Sequence, residues 1–200
     1  MLNQITTFKY NLKLNKLKMI DTKEFTRIKR ELEKNEAARE KDIQESRMVI
    51  KVSKQIIYSL HRGDIKKAET QSKDIKARVK KLRDMNLGMC RVAIQEYVEA
   101  IAYLHFLNKG TLITMKESGV DYESYLLGLC DLTGELVRKA VNEVIQGNES
   151  AAYLIKELVA GIYEQFLRLD LRNGELRKKA DSIRWNLNKI EDIIYKLEIR

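Results

Sequence analysis

The chain has 200 residues, with 38 Lys and Arg against 29 Asp and Glu, only 9 glycines and no proline. That length holds one domain with a sizeable core, and without proline no helix meets an obligatory break. No apolar run nears the ~18 residues that span a bilayer, which excludes a membrane-spanning chain. Cys90 and Cys130 lie in apolar contexts and read as buried free thiols of a reducing compartment, not as a disulfide.

The net charge of +9 is unevenly placed. The excess of Lys and Arg lies in the first 90 residues, while from residue 91 onward the acids slightly outnumber the bases. A basic surface attracts phosphate backbones; a lysine-rich, solvated helical surface has the same composition.

Residues 1–20 form a basic N-terminal arm, with no acid and with Lys9, Lys13, Lys16 and Lys18 among scattered leucines. It reads equally as a flexible arm, as an edge docking on a partner, or as an extension translated upstream of Met19. Residues 21–200 are expected to form a single all-α domain. A long helix runs over Asp21–Leu60, capped by Asp21 or Thr22, with its apolar stripe strengthening toward Ile56, Ile57 and Leu60. Along it Arg39, Lys41, Arg47, Lys51 and Lys54 form either a stripe facing nucleic acid or a solvated face with ion pairs. His61-Arg62-Gly63-Asp64 is a turn, with Gly63 ending one helix and Asp64 capping the next, a lysine-rich helix from Ile65 to Leu82. His61 reads as a helix-end residue rather than a ligand. Asn86-Leu87-Gly88 breaks the pattern.

The run from Arg91 to Leu107 is apolar nearly all round, with Val92, Ala93, Ile94, Val98, Ile101, Ala102, Leu104, Phe106 and Leu107. Such a helix is buried. Yet it carries Glu96 and Glu99, three apart and on one face. A further stretch, Tyr125–Leu136, repeats the pattern, with Asp131 and Glu135 four apart. It belongs to a helix over Glu123–Gln146, reached through a short connection with one helical turn at Met115–Ser118. Burying unpaired charge is costly, and four converging carboxylates repel unless some take up protons. A hard divalent cation with oxygen ligands removes the conflict. The arrangement points to an acidic metal site between two buried helices. It is not a di-iron site, since neither Glu96 nor Glu99 is followed three residues on by histidine. His105 reads as a buried, hydrogen-bonded histidine. Gly128 serves either a close approach by substrate or close helix packing, and Arg138 either holds a phosphate or neutralises Glu135. Helices over Ser150–Leu169 and Glu175–Leu197 follow, the last with a seam of Ile183, Leu187, Ile190, Ile194 and Leu197.

Three stretches together resemble the translin family, and more strongly its translin-associated factor X branch in a prokaryotic- or archaeal-type form. They are Gln95-Glu96-Tyr97-Val98-Glu99-Ala100 with His105-Phe106, the core Gly128-Leu129-Cys130-Asp131-Leu132-Thr133-Gly134-Glu135, and the ending from Leu187 to Arg200. The similarity extends over about Asp21 to Arg200. The resemblance implies an all-α antiparallel bundle of about seven helices, and assembly into a hollow homo-oligomeric shell, often of eight subunits. It implies binding of single-stranded RNA or DNA, with Mg²⁺-dependent endoribonuclease activity, Mn²⁺ being an alternative ion. It matches Glu96, Glu99 and Asp131 to the branch's catalytic, metal-binding carboxylates, with Glu135 beside them. Arg91 matches an arginine of a nucleic-acid-contacting segment, whose neighbouring basic and histidine positions are here Met85, Leu87 and Met89. The long basic extension of the eukaryotic branch has no counterpart, so the expected location is cytoplasmic.

Phosphodiester hydrolysis at Glu96, Glu99, Asp131 and Glu135, with Arg91 and Arg138 on phosphates, is therefore the leading expectation. Two other classes fit the residues. In a non-catalytic single-stranded RNA- or DNA-binding protein the acids pair with Arg91, Arg138 and Lys139. In an all-α nucleoside triphosphate pyrophosphohydrolase the basic residues cluster near one pocket.

Overall fold

A computed structural model describes residues 20–82 and 88–199. Apart from Ile20, the N-terminal arm lies outside the described residues, as do Met85 and Leu87. The chain separates into two compact units, Met1–Lys41 and Asp42–Arg200. Among the described residues the only regular elements are seven helices: α1 Thr22–His61, α2 Ile65–Val79, α3 Gly88–Lys109, α4 Met115–Ser118, α5 Tyr122–Ile145, α6 Glu149–Leu167 and α7 Glu175–Glu198. This is the all-α architecture expected. No helix is long and apolar enough to cross a membrane.

In the first unit, Asp21 caps α1 by accepting from the Lys23 and Glu24 amides at 2.9 and 3.3 Å. This stretch is exposed, and its ion pairs are local, Arg27 with Glu24 at 2.8 Å and Arg39 with Glu36 at 3.7 Å. Such pairs contribute little to stability.

The second unit contains the core. From Val49 onward α1 buries Val49, Val52, Ile56 and Leu60, at the three- and four-residue spacing of one helical face. It ends in a tight turn. Gly63 takes φ 77°, a conformation that glycine adopts without a Cβ penalty, and Asp64 caps α2 through the Lys67 amide at 3.2 Å. The second helix stops at Val79, three residues short of the expected Leu82. The one-turn α4 is held by a reciprocal capping box between Thr114 and Glu117, and Asp121 caps α5.

Helix α5 is the centre of the unit, packing on α3, α6 and α7, while α6 and α7 also pack on each other. The α7 seam is buried at Ile183, Leu187 and Ile190 and half-buried at Ile194 and Leu197. Both cysteines are free and buried. Burial pushes the Cys130 thiol up to about 12, so this sulfur is inert as a nucleophile at neutral pH. Helix α3 departs from the expected all-round burial in its first turns, where Met89 and Val92 are exposed.

The two readings of Gly128 resolve in favour of packing. A Cβ built at this position would lie 2.6 Å from the Val98 Cβ and 2.9 Å from the Gln95 carbonyl oxygen. Helices α3 and α5 therefore cross so closely that no side chain fits between them. The prediction is that Gly128→Ala destabilises the protein. Overpacking costs about 1–3 kcal/mol, which the better helix propensity of alanine offsets by at most about 1 kcal/mol. Denaturant unfolding should show a net loss, and Val98→Ala in the same chain should not recover it, because alanine keeps the Cβ that clashes and the Gln95 carbonyl stays in place.

Candidate active site

The α3–α5 crossing brings the sequence-predicted acids together. Glu96, Glu99, Asp131 and Glu135 line one open cleft of about 490 Å³, with Lys54, Ile57 and Tyr58 of α1 and Arg138 of α5 as its other walls. Each acid arrives by helical spacing. Glu96 and Glu99 are one turn apart on α3, and Asp131 and Glu135 are one turn apart on α5, on the face that Gly128 presses against α3.

Cations are shared out unequally among the four. Asp131 accepts two hydrogen bonds of 2.8 Å from the Lys179 ammonium of α7 and one from the side-chain amide of Gln95. Glu135 accepts from the His61 imidazole through Nε2 and lies 3.7 Å from the Arg138 guanidinium. Because a carboxylate only accepts, Nε2 carries the proton. The other ring nitrogen faces the Tyr103 hydroxyl at 3.4 Å. Glu96 pairs with Lys54 at 3.6 Å. Glu99, 8% exposed, has no hydrogen-bond or ion-pair partner among the described residues.

The titration behaviour follows from this. Burial, then the charges of Asp131, Glu96 and Glu135, push the Glu99 carboxyl from its ordinary 4.5 up to about 8, against the opposing pull of Lys179. Glu135 moves the other way, held below the ordinary range chiefly by the hydrogen bond from His61, with burial opposing.

Among the described residues, no three His, Cys, Asp or Glu side chains already stand together as a metal cage. The donor chemistry nonetheless suits a hard divalent cation. Four carboxylates line the cleft, and burial, reinforced by its neighbours' charge, raises the carboxyl of one of them, Glu99. A cation entering here competes with Lys179 for Asp131 and with Lys54 for Glu96.

The remaining candidates are placed as follows. Arg138 is exposed at the cleft's rim. Arg91 is not among the cleft residues, and its guanidinium is bound to Glu123 at the start of α5. Lys139 pairs with Glu143 rather than with the cleft acids. His105 is half-buried, not buried, with Nε2 3.4 Å from the Thr111 hydroxyl. His61 ends its helix as expected, but its ring is a direct partner of Glu135, which the sequence reading missed. Gln95, Lys54 and Lys179 were missed as carboxylate partners too. A signal existed for two of them. Lys179 stands four residues before Ile183 and so continues the α7 seam, and His61 stands four after the buried Ile57. A polar residue in register with an apolar face reaches inward.

Fold and site define a class: an all-α bundle whose two central helices carry an acidic cleft beside a lysine-bearing helix. Residues 37–200 match the Translin family, and the chain belongs to that family. It is 26% identical over 203 residues to the translin-associated protein X homolog of Schizosaccharomyces pombe, covering 88% of each chain. It is 32% identical over 124 residues to translin of Gallus gallus. That match covers 55% of this chain, and the chain spans only about half, 54%, of the relative's length. Among solved structures it resembles apo-NeC3PO, with a TM-score of 0.81 at 31% identity over 86% of this chain and 96% of that one. It also resembles AfC3PO in complex with duplex RNA, with a TM-score of 0.79 at 26% identity over 88% and 97% of the two chains.

The raised Glu99 carboxyl makes stability depend on pH. Between about 4.5 and about 8 the folded chain holds a proton that the unfolded chain has released, so stability falls as pH rises through this window. Glu99→Gln cannot ionise and removes that fall. Thermal melting in EDTA should show the variant gaining on the parent chain from pH 5 to pH 8.5. At pH 8, Mg²⁺ should raise the Tm of the parent chain more than that of the variant. Parallel melting profiles across this range would contradict the assignment.

Proposed function

We propose that this protein is a Mg²⁺-dependent endoribonuclease acting on single-stranded RNA, within a homo-oligomeric nucleic-acid-binding shell. The observation that carries the reading is Glu99: a buried carboxyl in a four-acid cleft, left without a basic partner while each of its neighbours has one. A purely structural cluster gains nothing from such a group, because replacing it with a neutral side chain relieves repulsion. A cation-binding cluster needs it.

Glu96, Glu99 and Asp131 are the residues that would hold the ion, with Mn²⁺ able to replace Mg²⁺ at oxygen ligands. When bound, the ion supplies an activated water and neutralises charge on the phosphate. Gln95 and Lys179 hold the Asp131 carboxylate in place, and His61 does the same for Glu135. Arg138, exposed among the cleft residues, is the group for a phosphate there. Arg47, Lys51 and Lys54 are exposed on one face of α1 and supply salt-dependent affinity without sequence preference. This basic line extends along the helix, which suits a polymer better than a free nucleoside triphosphate. The relative solved with duplex RNA supports an RNA ligand. Self-association, up to the eight subunits the resemblance implies, is supported by Leu167, Leu169 and Trp185, exposed together along one groove. Large apolar groups left in water mark interaction surfaces.

One observation favours a second reading. Lys54, His61, Arg138 and Lys179 already compensate three of the four acids, as in a binding protein without catalysis. Cleavage of a labelled single-stranded RNA separates the two, with free triphosphates assayed in parallel. The expected result is cutting with Mg²⁺, none with EDTA, and none by Asp131→Ala, which still binds the RNA. A fully active Asp131→Ala removes this residue from the site. RNA bound but uncut by the parent chain supports the binding reading, and hydrolysis of triphosphates alone overturns both.

A further inference from the structure

The acidic cleft has one wall that phosphate chemistry does not use. Tyr58 lies among the cleft residues, yet its side chain is 56% exposed. An aromatic ring left this open in a polar cleft contributes nothing to the core. Its surroundings fix it in place. Tyr58 sits one turn before the end of α1, and Arg62, four residues on, continues the helical turn onto the same face. The Arg62 amide caps the helix through the Tyr58 and Ser59 carbonyls at 3.3 and 3.1 Å. Its guanidinium then donates to the Tyr58 hydroxyl at 3.0 Å and stands 5.5 Å from the ring centroid. This combines a hydrogen bond and a cation–π contact, and it holds the phenol before any ligand arrives.

The ring also lies in a line of charge. Arg47, Lys51, Lys54 and Tyr58 follow each other at intervals of four, three and four residues, so they share one exposed face of α1. Arg62 extends the line into the turn. A strand whose phosphates follow these cations passes its bases over the one aromatic ring among them, next to Glu96 and its partner Lys54. Basic tracks interrupted by aromatic rings are how proteins hold single strands without reading sequence.

We propose that Tyr58, held by Arg62, is a stacking platform for an unpaired nucleobase of the RNA strand whose phosphate enters the acidic cleft. This rests on the RNA-cleaving reading for its strand, but stacking itself needs neither metal nor chemistry. Arg62 is a positioning residue, acting through the ring. The platform selects for single-stranded or locally unpaired RNA, because a base inside a duplex is already stacked on both faces.

The test is binding of a single-stranded RNA carrying one 2-aminopurine, read by fluorescence in EDTA, for the parent chain, Tyr58→Phe and Tyr58→Leu. The exposed position makes all three chains comparable in folding, which thermal melting checks. Tyr58→Phe keeps the π face and the cation–π contact but loses the hydrogen bond from Arg62, so it should keep the quench while binding between the parent and Tyr58→Leu. Tyr58→Leu keeps the bulk but loses the π face. It should bind about five- to hundred-fold more weakly and lose the quench. An RNA with an abasic site in place of the 2-aminopurine should bind the parent and Tyr58→Leu equally. In the Mg²⁺ cleavage assay, Tyr58→Leu should raise KM with little change in kcat. Equal affinity and equal quench for the parent and Tyr58→Leu overturn the platform even if the parent chain cuts RNA, as does failure of the parent chain to bind the RNA. The platform stands, and the nuclease reading falls, if the quench depends on Tyr58 but no RNA is cut.

Discussion

The closeness of α3 and α5 is the constraint on which the rest depends. Gly128 leaves room only for backbone against Val98 and the Gln95 carbonyl, and this contact sets how far apart the two acidic faces stand. Were the helices separated by an ordinary side chain, Asp131 would withdraw from Gln95, and the charges of Asp131 and Glu135 would act more weakly on Glu99. Packing and electrostatics are thus not separable here. The same contact that completes the core forces four carboxylates into one cleft, and the core tolerates them because the cleft opens to solvent on one side. Glu99 is the most deeply placed and bears most of the repulsion.

The compensating charges come from outside the crossing. Lys54 and His61 are supplied by α1 and Lys179 by α7, so elements distant in sequence converge on α3 and α5. That arrangement restrains Glu96, Glu135 and Asp131 and leaves Glu99 without a partner. It also means that a cation entering the cleft would exchange partners rather than fill vacant space: the Lys179 ammonium would have to yield Asp131, and Lys54 to yield Glu96.

How much of this was legible in the sequence depended on periodicity. The acids of α3 and α5 stood out because charge on an apolar helix is an anomaly at any spacing, and spacings of three and four put each pair on one face. The longer helices were legible through their caps and stripes, while the Thr114 and Gly119 caps that hold the short α4 went unread. The partners were harder to find. Gln95 is neutral, so it raised no conflict to explain. His61 and Lys179 each looked like ordinary helix-end or surface residues, because only their register with Ile57 and with the α7 seam betrays their direction. Arg91 was singled out by the resemblance alone, and its guanidinium is paired with Glu123 rather than turned into the cleft.

The distribution of charge along α1 connects these points. Its inward face ends in His61, which holds Glu135. Its outward face carries Lys54, which neutralises Glu96, and Arg47 and Lys51, which lie in line with it. One helix therefore serves the acids on one side and exposes a basic line on the other, and Tyr58 lies at the cleft where that line ends. A carboxylate cluster by itself repels a phosphate backbone. It becomes a usable site for one only when cations bring the strand in against that repulsion and the cluster is masked until the strand arrives. Lys54 does both, being bonded to Glu96 and lying in register with the basic line.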